Sequence, residues 1–174
     1  TSDFKDVFSE ELERKKDYVS DCTIDTDLEI LIPDSYVESI TERLSLYTQL
    51  DDIEDEAKLN EFALELIDRF GPLPKQVEEL FTTIRCRSIA KELGFEKLIL
   101  KNKQMRLYFV SNPDSPYFES AIFNHILSYI QVQTKNARLK QVGKNFMLIV
   151  DRVKNMGDVL WFLEGIEKTQ PQQA

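Results

Sequence analysis

Apolar residues at Leu59, Phe62, Ala63, Leu66, Ile67 and Phe70 recur every three or four positions and predict one face of a helix running from Asp55 to Phe70. Gly71 can adopt the left-handed conformation that ends helices, and Pro72 cannot continue one. Pro74 then stands where a first-turn proline belongs in the next helix. Val77, Leu80, Phe81 and Ile84 carry that helix toward Leu93, with Gly94 as its stop. Upstream, Leu28-Glu29-Ile30-Leu31-Ile32 is rich in branched residues and closed by Pro33, which predicts a strand. Asp34 or Ser35 caps the first helix, Glu38 occupies the capping-box position after Ser35, and Val37, Ile40, Leu44 and Tyr47 form its inward stripe. Phe4, Val7, Phe8 and Leu12 predict a short amphipathic helix within Thr1 to Lys16, and the polar stretch Asp17 to Asp27 reads as loop.

After Gly94 the period changes. Phe95 to Leu100 and Met105 to Val110 alternate like two strands around the turn Lys101-Asn102-Lys103-Gln104. Tyr117 to Gln133 is helical, with Phe118, Ile122, Ile126, Tyr129 and Ile130 inward. Ala137 to Val142 and Phe146 to Val150 pair around Gly143-Lys144. Asn155 to Lys168 forms a last helix on Met156, Val159, Leu160, Leu163 and Ile166, and residues 169–174 read as a frayed tail. The order is β-α-α-α-β-β-α-β-β-α, a ββα layout twice over in the second half. The expected class is α+β, a small mainly antiparallel sheet with packed helices.

At 174 residues the chain suits one domain with an appended arm at residues 1–27, and it is long enough to bury a core. No apolar run approaches the ~20 residues that span a bilayer, so no membrane partner is expected. The opening Thr-Ser-Asp-Phe-Lys-Asp has no basic region followed by an apolar run, and a piece of a longer, cytoplasmic protein is the expectation. The net charge of −9 is unevenly placed: residues 1–70 hold 21 Asp and Glu against 7 Lys and Arg, residues 71–174 hold 10 against 15. The acidic first half argues against phosphate contact there and favours a basic protein partner, or simply solubility.

Cys22 and Cys86 belong to no ligand spacing and His125 is the single histidine, so no zinc site is expected and reduced thiols are the simplest reading. Gly143-Lys144 lacks the upstream glycine and following Ser or Thr of a phosphate loop. Asp55-Glu56-Ala57-Lys58 resembles a helicase DEAx box but lacks the buried strand before it, and reads as a helix start. His125 has no sequence cue to a catalytic partner and reads as structural. Arg85, Arg87 and Lys91 share a helix with Glu78, Glu79 and Glu92, which favours pairing with acids or solvation over nucleic acid. No catalytic residue, metal or cofactor is assigned to this chain.

The strongest candidate is the outer face of the Asp55–Phe70 helix. Glu61, Leu64, Glu65 and Asp68 cluster on the wheel opposite Leu59, Phe62, Leu66 and Phe70. Most such faces are merely solvated. Here Leu64 is an apolar residue among acids, and such a spot suits a basic partner surface carrying arginine.

The string Glu65-Leu66-Ile67-Asp68-Arg69-Phe70-Gly71-Pro72-Leu73-Pro74 resembles the C-terminal domain of bacterial transcription-repair coupling factors. Leu31-Ile32-Pro33 followed by Tyr36-Val37, then Arg43-Leu44-Ser45-Leu46-Tyr47, is similar to the family's preceding run. Arg87, Ala90 and Leu93-Gly94-Phe95 are similar to its continuation. The likeness covers residues 28–168, in the second half by layout more than by residues; residues 1–27 match the family poorly, and the resemblance implies an arm or linker from a preceding motor portion there. The resemblance implies a non-catalytic, autoinhibitory domain of a DNA translocase. ATP and Mg²⁺ belong to the full-length motor, whose motifs are absent here. It implies intramolecular packing on the UvrB-like N-terminal module through acids that map onto Glu65 and Asp68, with Glu61 and Leu64 added from the wheel. That packing would mask the UvrA-binding surface, and the full-length protein would reach UvrA, RNA polymerase and DNA. A free-standing acidic adaptor for another basic protein, and an enzyme whose site leaves no sequence trace, are the alternatives.

Overall fold

The structure, a computed structural model, describes residues 18–133 and 135–169. The amphipathic segment expected before Lys16 and nearly all of the expected tail lie outside these residues. The elements run β1 Thr23–Thr26, α1 Ile40–Asp51, α2 Glu56–Phe70, α3 Lys75–Leu93, β2 Phe95–Lys101, β3 Gln104–Phe109, a 3₁₀ turn Pro116–Glu119, α4 Ala121–Gln133, β4 Ala137–Val142, β5 Asn145–Asp151 and α5 Met156–Lys168. This is the expected α+β order. The sheet order is β1-β2-β3-β5-β4, with β1 parallel to β2 and every other pair antiparallel.

Two apolar cores share one helix. Val77 and Phe81 on the first half of α3 pack with Leu46, Leu50, Leu59, Phe62 and Leu66 of α1 and α2. Cys86, Ala90 and Leu93 on its second half pack with one face of the sheet and with α4 and α5. Helix α3 therefore splices a three-helix lobe to a sheet lobe. Gly94 ends it at φ 95°, where a Cβ would collide with the Tyr117 ring. The Tyr117 hydroxyl donates to Leu93 O at 2.6 Å, satisfying one of the helix's last carbonyls.

Several expectations need correction. The first strand is Thr23–Thr26, not Leu28–Ile32. Residues 18–27 are thus integral to the sheet lobe rather than an arm: Val19 and Cys22 are buried in its core. The run after β1 is a connector that feeds both cores, Leu28 and Ile30 packing on the sheet core and Ile32 in the helical core. The Ile32 N–H donates to Tyr47 Oη at 2.7 Å instead of to a ladder.

Helix α1 begins five residues later than Ser35. Tyr36 and Val37 donate to Pro33 O in a turn, and Ser39 caps the helix by accepting from Glu42 N at 3.2 Å. The stripe of α1 is consequently rotated: Leu46 and Leu50 are buried, while Ile40 and Leu44 are exposed. Ile67, expected inward, is 43% exposed. Pro74 is the cap of α3, one residue ahead of its first turn. The β2–β3 hairpin closes more tightly than expected, on Asn102 and Lys103, both at positive φ.

Candidate functional site

Helix α2 is held in place at both ends by side chains from its neighbours. Asp55 caps its start, accepting from Lys58 N at 2.8 Å. Glu56 accepts from Arg85 Nε at 3.0 Å and Nη2 at 2.8 Å, and that guanidinium holds its carboxyl below the usual range. Arg87 donates to Asp51 Oδ1 at 2.8 Å and to Asp51 O at 2.7 Å, and Lys91 lies 3.8 Å from Glu54. Arg85, Arg87 and Lys91 of α3 thus clamp the α1–α2 connection, pairing with acids of that connection rather than with Glu78, Glu79 or Glu92 of their own helix.

The far end is tied by Tyr36. Its hydroxyl donates to Gly71 O at 2.8 Å and lies 3.2 Å from Leu66 O, and its ring packs on Phe70 with centroids 5.7 Å apart. Gly71 takes φ 94° and ψ −168°, a conformation open to glycine and little else. Its N–H still closes on Ile67 O at 2.9 Å. Arg69 pairs with Glu42 of α1 and its guanidinium stands 4.8 Å from the Phe70 ring centroid. The Arg69-Phe70-Gly71 string is therefore a structural clasp.

Between these ties the outer face is free. Glu61, Leu64, Glu65 and Asp68 are all exposed, with Leu64 at 68%. The structure brings all four sequence-predicted residues to one helix face. No cation pairs with Glu61, Glu65 or Asp68 among the described residues, although Glu42, Asp51, Glu54 and Glu56 nearby are all paired. Five surface hollows of the fold are lined by other residues. The face suits a macromolecular surface rather than a small ligand.

One residue was missed. Ile67, three positions after Leu64, widens the apolar spot on this face. Its signal was ambiguous, because it sits at the edge of the inward stripe, where the wheel alone assigns it to either side.

The other candidates are structural. His125 Nε2 lies 2.8 Å from Ile166 O and 3.1 Å from Thr169 Oγ1, at the end of α5. Burial pushes the thiols of Cys22 and Cys86 up to about 12, so both are neutral near pH 7. No group of three or more His, Cys, Asp or Glu is placed to hold a metal ion among the described residues. No described helix is long and apolar enough to cross a membrane.

Residues 26–120 match the model of the TRCF domain family. The chain is similar to the transcription-repair-coupling factor of Rickettsia bellii, 29% identical over 122 residues, covering 70% of this chain and 10% of that protein. The Rickettsia conorii protein of the same name is 26% identical over 148 residues, covering 83% and 13%. That of Escherichia coli K12 is 40% identical over 68 residues, covering 39% and 6%. The chain thus spans about a tenth of the length of these curated relatives. The fold is similar to the crystal structure of the C-terminal domain of transcription-repair coupling factor, with a TM-score of 0.70, 16% identity, and coverage of 88% of this chain and 96% of that one.

Proposed function

The chain belongs to the TRCF domain family, and from that premise we propose that it is a non-catalytic, autoinhibitory domain of a transcription-repair coupling DNA translocase. In this reading the outer face of α2 packs on the UvrB-like N-terminal module of the same protein. The contact masks the surface that binds UvrA and restrains the motor. RNA polymerase and DNA are reached through the rest of the protein, which works in the bacterial cytoplasm.

One observation carries the reading. Among the described residues, Glu61, Glu65 and Asp68 stand unpaired around exposed Leu64 on a helix whose two ends are fixed. Internal cations pair with Glu42, Asp51, Glu54 and Glu56, while these three acids cluster unpaired on one face among the described residues. Arginines on that partner would meet them in bidentate pairs, and Leu64 with Ile67 would supply the apolar centre. Exposed ion pairs contribute on the order of 1 kcal/mol or less each. An interface made of a few of them can be opened by a conformational change, which coupling of UvrA recruitment to motor engagement requires.

The test is binding between this chain and the N-terminal UvrB-like module of the same full-length protein. Association is expected to weaken with salt, and Glu65→Arg with Asp68→Arg to weaken it roughly tenfold or more. Unchanged association of the double variant would remove the acidic face from the interface. ATP hydrolysis by this chain alone would contradict its non-catalytic role.

A further inference from the structure

Among the described residues, no helix covers one face of the sheet. Cross-strand register places Leu98, Leu107 and Leu148 on the side facing the core, with Leu100, Met105 and Val150 in the next row. The alternate residues point away. One outward row is Lys97, Tyr108, Met147 and Lys140; the next is Ile99, Arg106, Ile149 and Arg138. Met147 and Ile149 are only 7% and 4% exposed, yet neither belongs to either core.

This face is cationic in a protein of net charge −9. Residues 95–154 hold 10 Lys and Arg against 4 Asp and Glu. Two of the outward cations are spent: Lys101 pairs with Asp25 at 3.1 Å and Arg138 with Asp151 at 2.7 Å. Lys97, Arg106 and Lys140 are exposed and carry no carboxylate partner among the described residues. Arg106 only reaches Gln104 Oε1, at 3.3 Å. The half-buried ring of Tyr108 lies between Lys97 and Met147 in its row.

We propose that this open sheet face, through Lys97, Arg106 and Lys140 around Tyr108, binds single-stranded nucleic acid by its phosphates. The chemistry of the face selects this partner over an acidic protein. A protein interface needs an exposed apolar centre from which binding excludes water, and here Met147 and Ile149 are already buried. What remains at the surface is a spread of unpaired cations and one aromatic ring, the combination that follows a phosphate backbone and stacks a base. The cations span three strand spacings, about 14 Å, so two or three successive nucleotides can engage them. The acidic face of α2 belongs to the other lobe, so the two surfaces can be occupied independently.

The experiment is fluorescence anisotropy of a labelled 20-nucleotide oligo-dT with this chain. Saturable binding is expected at 50 mM NaCl, with log K falling against log salt at a slope of about −2 for three single-strand phosphate contacts. Affinity should therefore drop about twentyfold between 50 and 200 mM. The triple variant Lys97→Glu, Arg106→Glu, Lys140→Glu should lose binding while keeping its far-UV circular dichroism. Tyr108→Ala should weaken binding about fivefold or more through lost stacking. Lys58→Glu, in the acidic lobe, should leave it unchanged. Absence of saturable binding at 50 mM, or unaltered binding by the triple variant, overturns the proposal. Displacement of the oligonucleotide by poly-glutamate at equal charge concentration also overturns it, and reassigns the face to an acidic protein segment.

Discussion

At the scale of single residues, function and architecture separate along one helix. Asp55, Glu56, Arg69 and Gly71 of α2 and its ends are all engaged by caps, ion pairs or a glycine-only backbone. Glu61, Glu65 and Asp68 have no cation partner among the described residues, which is why the proposed contact is placed on them. The wheel could place all four site residues because an exposed helix face follows from a 100° rotation per residue alone. It could not place Ile67, which lies on the boundary between two faces. The buried thiols make a prediction at this scale. Both have an ordinary value of 9.0 and are raised to about 12 in the fold, first by burial, with Asp21 adding to the effect at Cys22 and Glu164 at Cys86. A raised folded pKa favours the protonated form. Stability from this source is therefore complete below about pH 9 and is lost as pH rises toward 12. Urea denaturation between about pH 8 and 11 should show that loss, and the double variant Cys22→Ala, Cys86→Ala should show a shallower decline. An equally steep decline in the variant would remove the thiols as its cause.

At the scale of elements, boundaries set by local chemistry were legible and those set by distant partners were not. Helices α2, α3 and α5 begin and end within a residue of expectation, because Asp55, Asn155, Gly71 and Gly94 satisfy end groups using only their own neighbours. The start of α1 was misplaced because the chain offers two matching capping boxes, Ser35 to Glu38 and Ser39 to Glu42. The fold uses the second. Choosing the first would wind Tyr36 and Val37 into the helix, and Tyr36 is needed against Leu66 and Gly71. Ser39→Ala should consequently cost about 1 kcal/mol in urea denaturation, while Ser35→Ala should stay within a few tenths. A larger loss for Ser35 would mean that the helix starts where the sequence pattern first placed it. Strand β1 escaped notice for the same kind of reason. Thr-Ile-Asp-Thr buries only Ile24 inward, and its pairing partner lies some seventy residues away at Lys97 to Leu100.

At the scale of the whole molecule, α3 makes two lobes into one folding unit. Phe81 sits in the helical core, edge-on to Phe62 with centroids 6.1 Å apart, and Cys86 Sγ reaches Met156 O at 3.6 Å in the sheet core one turn later. A cavity at one end of this helix loosens the frame of the other. Phe81→Ala should cost about 3–5 kcal/mol. Amide exchange of β3, in the other lobe, should accelerate in proportion to that loss. Unchanged β3 exchange beside a destabilised helical lobe would mean that the lobes open separately. The same division separates the charges, with acids concentrated on the three-helix lobe and unpaired cations on the open sheet face.

By itself the sequence determined what depends on near neighbours: the element order, the helix stops, the exposed acidic face, and a family string whose Gly71 and Pro72 can form only a turn. The tertiary structure decided what depends on contacts between distant residues. It chose which of two capping boxes to use, which side of α1 to bury, and which stretch to recruit as the first strand. It also decided which charges neutralise one another. A periodic pattern states how residues are phased along an element, but not which phase meets a partner. That is settled only when buried groups far apart in the chain must all be packed and hydrogen-bonded at once.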